Sequence, residues 1–193
     1  GVLQHLASHG FLVVAAEASS AEGAEALAAL AWILAENTRA GSTYFGKLDT
    51  SKVAAAGHGL GSIATFAAAG DPRLTTTLHL SGATNKAIGS GYTPSEQLTH
   101  PTAFFCDAGG GNIFRTGDAE ASCQADFDRA QVPVFFATVG GPEQFNLPMG
   151  VAGAMVGWLR WQLLGDAAHK PMFAGQSCTL CTRPSWSVQQ RGL

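Results

Sequence analysis

The strand-like run Val53-Ala54-Ala55-Ala56 leads into Gly57-His58-Gly59-Leu60-Gly61-Ser62, and the apolar stretch from Ile63 to Ala69 follows. A strand, a five-residue turn bounded by glycines and then a helix form the layout of Gly-x-Ser-x-Gly. There a strained turn lifts a serine oxygen above a sheet so that a base and an acid can act on it. Acyl transfer is the chemistry such a turn serves. Gly57 and Gly61 fill the outer places, but the central place, where the serine belongs, is Gly59. The backbone N–H of Leu60 stands where an oxyanion donor is expected. The turn has its scaffold and lacks its nucleophile.

Other glycine-rich sites fit less well. A dinucleotide fingerprint needs Gly-x-Gly-x-x-Gly, and Gly57 and Gly59 are followed by Ser62 at the third place. Asp71 comes too early to hold a ribose, and the run from Thr76 to Ser81 ends without an acid. A phosphate loop would require Gly-Lys-Ser/Thr, which this turn lacks. Two readings fit the turn taken alone: a degenerate nucleophile turn, and a glycine-rich joint where two backbones pack closely.

The elements that must position this turn alternate strand and helix. Strands are expected over residues 11–16, 52–57, 75–81, 102–107 and 133–139, and helices over 21–38, 59–69, 118–130 and 151–164. Short apolar strands such as Val132-Pro133-Val134-Phe135-Phe136 suit a parallel sheet buried on both faces, with crossover helices on either side. The expected architecture is α/β in three layers, a single domain over residues 1–193 in which 166–193 form a cysteine-bearing tail.

Residues Leu6-Ala7-Ser8-His9-Gly10-Phe11-Leu12-Val13-Val14-Ala15, the glycine turn, Asp71-Pro72-Arg73-Leu74, and Trp158-Leu159-Arg160-Trp161-Gln162-Leu163-Leu164-Gly165-Asp166 with Phe173-Ala174-Gly175, Cys178-Thr179-Leu180-Cys181 and Trp186 together resemble a family of secreted α/β-hydrolases. These are relatives of the dienelactone-hydrolase and cutinase-like polyester-hydrolase groups. The resemblance runs from Leu6 to Leu193 and is most specific in the C-terminal tryptophans and Cys-x-x-Cys. It implies the three-layer hydrolase fold with a mostly parallel sheet. It also implies strands and an oxyanion loop ahead of Leu6 that have no counterpart here, roughly the first third of the fold.

The same resemblance places the remaining catalytic positions in the order nucleophile, acid, histidine. The acid should follow the strand Ala103-Phe104-Phe105-Cys106, where the loop reads Ala108-Gly109-Gly110-Gly111-Asn112-Ile113-Phe114, so Asn112 takes the acid's place, or Gly111 if the loop is shifted by one residue. Asp107 at the strand end is the other candidate; its plainer reading is a turn residue whose carboxylate accepts backbone N–H bonds. The histidine should follow the strand at 133–139, and Gly141 stands there, within Gly140-Gly141-Pro142-Glu143. His58 lies in the turn beside the nucleophile's place. His79 alternates with Leu78 and Leu80 and reads as a packed core histidine, and His169 belongs to the tail. No residue set shows the spacing of a metal or cofactor site.

The 193 residues are 46% hydrophobic and only 13% charged, enough to bury roughly 70% of the surface the unfolded chain exposes. A net charge of −3 provides no basic footprint for nucleic acid or anionic membranes. No apolar run approaches the roughly 20 residues of a membrane span. The opening Val2-Leu3-Gln4-His5-Leu6 has neither the charged region nor the cleavage site of a signal peptide. Four cysteines pair naturally as Cys106 with Cys123 and Cys178 with Cys181, which favours an oxidising, secreted setting. For Cys178 and Cys181 a redox pair and half a zinc site are the alternatives. The tail lacks the strand-to-helix context of the first, and the chain lacks the second ligand pair of the other.

A serine needs a base oriented by a third group, and all three places are substituted. The expectation is a catalytically inactive hydrolase homologue that binds or assembles, with itself or a partner chain. The alternatives are an esterase whose reactive residues lie elsewhere or were engineered away, and a non-hydrolytic enzyme using Asp107, Glu143 and His58 in the vestigial pocket.

Overall fold

The computed structural model describes residues 1–17, 22–82, 93–108 and 122–193. Its centre is a five-stranded sheet in the order β1 (Val53–His58), β2 (Leu74–Leu80), β3 (Thr102–Asp107), β4 (Val134–Val139) and β5 (Trp186–Arg191). The first four strands are parallel, and β5 returns antiparallel along β4. The helices are α1 (Val2–Ser8), α2 (Ala24–Thr38), α3 (Leu60–Ala68), α4 (Cys123–Arg129), α5 (Leu147–Gly150) and α6 (Ala152–Leu164). This is an α/β fold with a mostly parallel sheet. The expected strands from 52 onward and the helices at 59–69 and 151–164 match the observed elements to within a residue at each end.

Alternate residues of β3 and β4 serve opposite faces, the period-2 consequence of the pleat. Ala103, Phe105, Phe135, Ala137 and Val139 join one core with α6; Phe104, Cys106, Val134 and Phe136 join the other with Phe66 of α3 and Phe127 of α4. Both faces are therefore buried, which is why these strands read as continuous apolar runs. Helix α6 is apolar nearly all round because it is covered on both sides. The sheet lies beneath it, and the tail lies over it. Trp158 is fully buried, stands 5.2 Å from the ring of Phe173 and donates its indole N–H to Thr76 Oγ1 at 2.8 Å.

The tail is more than an appendage. Phe173, Cys178, Leu180 and Trp186 are core residues, and β5 closes the sheet beyond β4. This strand escapes a reading of Trp186-Ser187-Val188-Gln189-Gln190-Arg191 because four of its six residues are polar, as suits an edge strand facing water. The opposite error concerns residues 11–16. They form no strand. Phe11 and Val13 still pack on the core while Leu12 and Val14 are 42% and 39% exposed, so the alternation is real and only the ladder is missing. A strand exists only where a neighbour offers its backbone, a condition that local pattern cannot report.

Both cysteine pairs are disulfides: Cys106–Cys123 and Cys178–Cys181, separated by 17 and 3 residues. The first ties the end of β3 to the start of α4. In the chain-entropy view it is worth about 3 kcal/mol, against about 2 kcal/mol for the short ring. Two disulfides fit an oxidising compartment. Among the described residues no helix is long and apolar enough to cross a membrane.

His79 lies wholly inside the second face, its ring 3.8 Å from that of Phe66 and 5.2 Å from that of Phe104. Its Nε2 meets Thr77 Oγ1 at 3.0 Å, and the same oxygen meets Thr102 Oγ1 at 2.8 Å and His100 Nε2 at 3.3 Å. As expected, it is a packed, hydrogen-bonded histidine. Burial favours its neutral ring and pulls its pKa from 6.5 down to about 3, and burial lowers His100 as well. Between those two pH values the unfolded chain binds a proton that the folded chain refuses. Stability should therefore fall as pH drops below 6.5 and keep falling towards 3, by up to about 1.4 kcal/mol per pH unit for His79. Denaturant midpoints measured across this range, for the native protein and for His79→Gln, check it: the variant should show the shallower slope, and the His79 ring resonances should not titrate above about pH 4.5.

Candidate functional site

The four parallel strands present their carboxyl ends along one edge of the sheet, the side from which ligand-binding loops of open α/β sheets emerge. Gly59 follows β1, Ser81 follows β2, Asp107 ends β3, and Gly140 with Gly141 follows β4. The expected positions at Gly59, Leu60, Asp107 and Gly141 all lie on this edge. Asn112 lies outside the described residues.

The turn after β1 is built from close backbone approaches. A Cβ on Gly57 would stand 2.0 Å from the carbonyl oxygen of Gly61, and one on Gly82 would stand 2.7 Å from that of Gly59 and 2.5 Å from Ser62 Cβ. Gly59 has φ 62° and ψ −121°, a conformation strained for any residue with a side chain. Its N–H continues the β1–β2 pairing onto Leu80 O at 2.8 Å, while its carbonyl accepts from Ser62 N–H at 3.0 Å and starts α3. Leu60 is the first helical residue, 52% exposed, where a helix N–H has no partner within the helix. The strand–turn–helix joint is thus as the sequence implied: Gly57 is required by packing and Gly59 by its backbone conformation, whatever chemistry the turn serves.

The acidic candidates are tied to partners that sequence spacing does not disclose. Asp107 Oδ2 accepts the hydroxyl of Ser81 at 2.8 Å, and Ser81 Oγ accepts the N–H of Asp107 at 3.1 Å. Ser81 has φ 46°, uncommon for a residue with a side chain. A serine that merely ends an apolar strand carries no sequence mark of this role. Glu143 binds Arg183 at 2.7 Å, and that guanidinium lies over the ring of Trp186, 4.6 Å from its centre. Gly141 has φ 72°, and a Cβ there would stand 3.4 Å from Glu143 Oε2. Beside it, Gly140 N–H donates to Ser185 O at 2.9 Å. Arg183 and Ser185 therefore belong to the surroundings of Gly140 and Gly141, and nothing local in the tail marks them.

Histidines and the turn meet at one buried contact. Ser62 Oγ lies 3.5 Å from His79 Nδ1, yet both side chains are 0% exposed, so this pair has no access to a substrate. His58 is exposed at the end of β1, and His169 Nδ1 lies 3.1 Å from Asp166 Oδ2 in the tail. Among the described residues no group of three His, Cys, Asp or Glu is placed to hold a metal ion. The chain matches no protein-family profile and no curated protein sequence.

Two glycines of one motif should respond oppositely to the same methyl group. Gly57→Ala drives a Cβ into the Gly61 backbone and should cost about 3 kcal/mol or prevent folding. Gly61→Ala meets nothing within 4 Å on a helix and should be neutral or stabilising by up to about 1 kcal/mol. Urea unfolding of both variants provides the comparison.

Proposed function

We propose that this chain is a catalytically inactive α/β-hydrolase homologue that functions extracellularly in binding or assembly. The observation that carries the proposal is the turn at Gly59. It keeps the φ and ψ of a strained strand-to-helix joint at the nucleophile's place while offering no side chain. Gly141 at the histidine's place adds support, as does the engagement of Glu143 with Arg183. The two disulfides support an extracellular location.

A second reading, an enzyme of other chemistry, draws on the left-handed backbone of Ser81 and its bond to Asp107. The two readings diverge in one experiment. The native protein should neither react with a fluorophosphonate probe nor turn over a short-chain nitrophenyl ester. Gly59→Ser should gain nothing appreciable, because triad members act as a unit and a hydroxyl without its base is not a nucleophile. Rapid labelling of the introduced serine would reveal a base and overturn the proposal. Labelling of native protein would do the same, and peptide mapping to Ser81 would establish the second reading.

Assembly rests on an open edge. β1 pairs only with β2 among the described residues, and none of its residues is fully buried. Beside α3 runs α2, rich in alanine and leucine, with Ile33 alone buried. Trp32 and Phe45 are 52% and 54% exposed. An edge strand with one side open among the described residues, beside a helix that exposes Trp32, invites a further segment of polypeptide, such as that of a partner chain. Residues 1–193 expressed alone should self-associate, as read by light scattering. A monodisperse monomer would refute the assembly role.

A further inference from the structure

The two disulfides sit in different chemical surroundings. In Cys106–Cys123 both residues are core residues, 5% and 8% exposed, one in the sheet and one at the start of α4. In Cys178–Cys181 the first cysteine is 2% exposed and the second only half-buried, and the two lie only 3 residues apart in sequence. The N–H of Cys181 points at Cys178 Sγ, 3.0 Å away. Thiol–disulfide exchange needs one sulfur that an incoming thiolate can reach and another that leaves readily as a thiolate. Cys181 meets the first need. Cys178 meets the second, because the Cys181 N–H, 3.0 Å away, is placed to donate to its sulfur as it leaves.

We propose that Cys178–Cys181 is an exchangeable disulfide, a redox-sensitive latch on the tail, and that Cys106–Cys123 is the inert structural one. A dithiol reductant supplies the electrons. Its thiolate attacks Cys181 Sγ, the Cys178–Cys181 bond breaks, and Cys178 departs as a thiolate held by the Cys181 N–H. The reductant's second thiolate then attacks its own sulfur in the mixed disulfide and releases Cys181. The reductant ends as a cyclic disulfide, the protein gains two electrons, and the two protons released by the reductant end on the cysteine sulfurs.

The latch has something to hold. Gln190 of β5 clasps the preceding loop, its Nε2 donating to Gly175 O at 2.6 Å and its Oε1 accepting Gly175 N–H at 3.2 Å. The same Nε2 lies 3.9 Å from Cys181 Sγ. The 3-10 turn Leu180–Thr182 contains Cys181 and leads into Arg183 and Ser185, which bind Glu143 and Gly140 in the loop after β4. Opening the short ring frees this turn, and the loop after β4 loses part of its restraint.

Graded dithiothreitol treatment of the folded protein, followed by alkylation and peptide mass mapping, tests the proposal. Cys178 and Cys181 should become alkylated at about a tenfold lower reductant concentration than Cys106 and Cys123. Hydrogen exchange over residues 175–186 and 140–143 should rise in that partly reduced state while β2 and β3 stay protected. The Cys178→Ala/Cys181→Ala double variant should show the same raised exchange without reductant. Simultaneous reduction of both pairs, or earlier reduction of Cys106–Cys123, would overturn the proposal. Unchanged exchange over 140–143 in both the reduced protein and the double variant would refute the latch.

Discussion

The backbone of Gly57 and the carbonyl of Gly61 approach so closely that no Cβ fits between them, and the rest of the carboxyl-edge geometry depends on that contact. It lets β1 turn within one residue, Gly59, into α3 while the β1–β2 pairing continues through the Gly59 N–H. With α3 so placed, Phe66 reaches the second core and stacks on His79, and Ser62 faces Gly82 at the end of β2. Phe66 belongs to the same core as Phe104 and Phe127, so the turn is linked through packing to β3 and α4. Glycine is retained at Gly57 and Gly82 because backbones meet there, which is a packing requirement and independent of catalysis.

Polar groups that look reactive in the sequence are largely consumed by structure. Burial disfavours the charged form of His79 and His100, and the Nε2 of each meets the shared hydroxyl of Thr77. Asp107 clamps Ser81, and Glu143 holds Arg183. Each arrangement satisfies a group that would otherwise cost free energy when removed from water. A surface salt bridge adds little by itself, but Arg183 also covers the face of Trp186 and so joins the β4 loop to the tail.

The tail completes the molecule on the side away from the open edge of β1. Phe173 lies 5.2 Å from the Trp158 ring and 5.1 Å from that of Phe135, so the core on the α6 face is finished by residues beyond the last helix. One edge of the sheet is thereby capped by a polar strand, while at the other, among the described residues, β1 pairs on one side only and lies near the partly exposed helix α2. Assembly through β1 and regulation through the short disulfide would act at opposite ends of one sheet.

Much of the framework was legible in the amino-acid sequence. Apolar runs bounded by Gly, Pro and Asp marked four of the five strands. The glycine spacing located the turn, and four cysteines in two natural pairs anticipated both disulfides. These signals are local: period, punctuation and spacing act within a few residues of chain, and the glycine at position 59 of the turn is visible in the same way. Only the tertiary structure decided which side chains meet. It tied Asp107 to Ser81, 26 residues away, and Glu143 to Arg183, 40 residues away. It sealed His79 and Ser62 from solvent and drew a polar C-terminal segment into the sheet as β5. It also left residues 11–16 alternating but unpaired. The physical reason is common to these cases: hydrogen bonds, ladders and burial need a partner that lies far along the chain, and chain pattern records a residue's own preference without naming its neighbour.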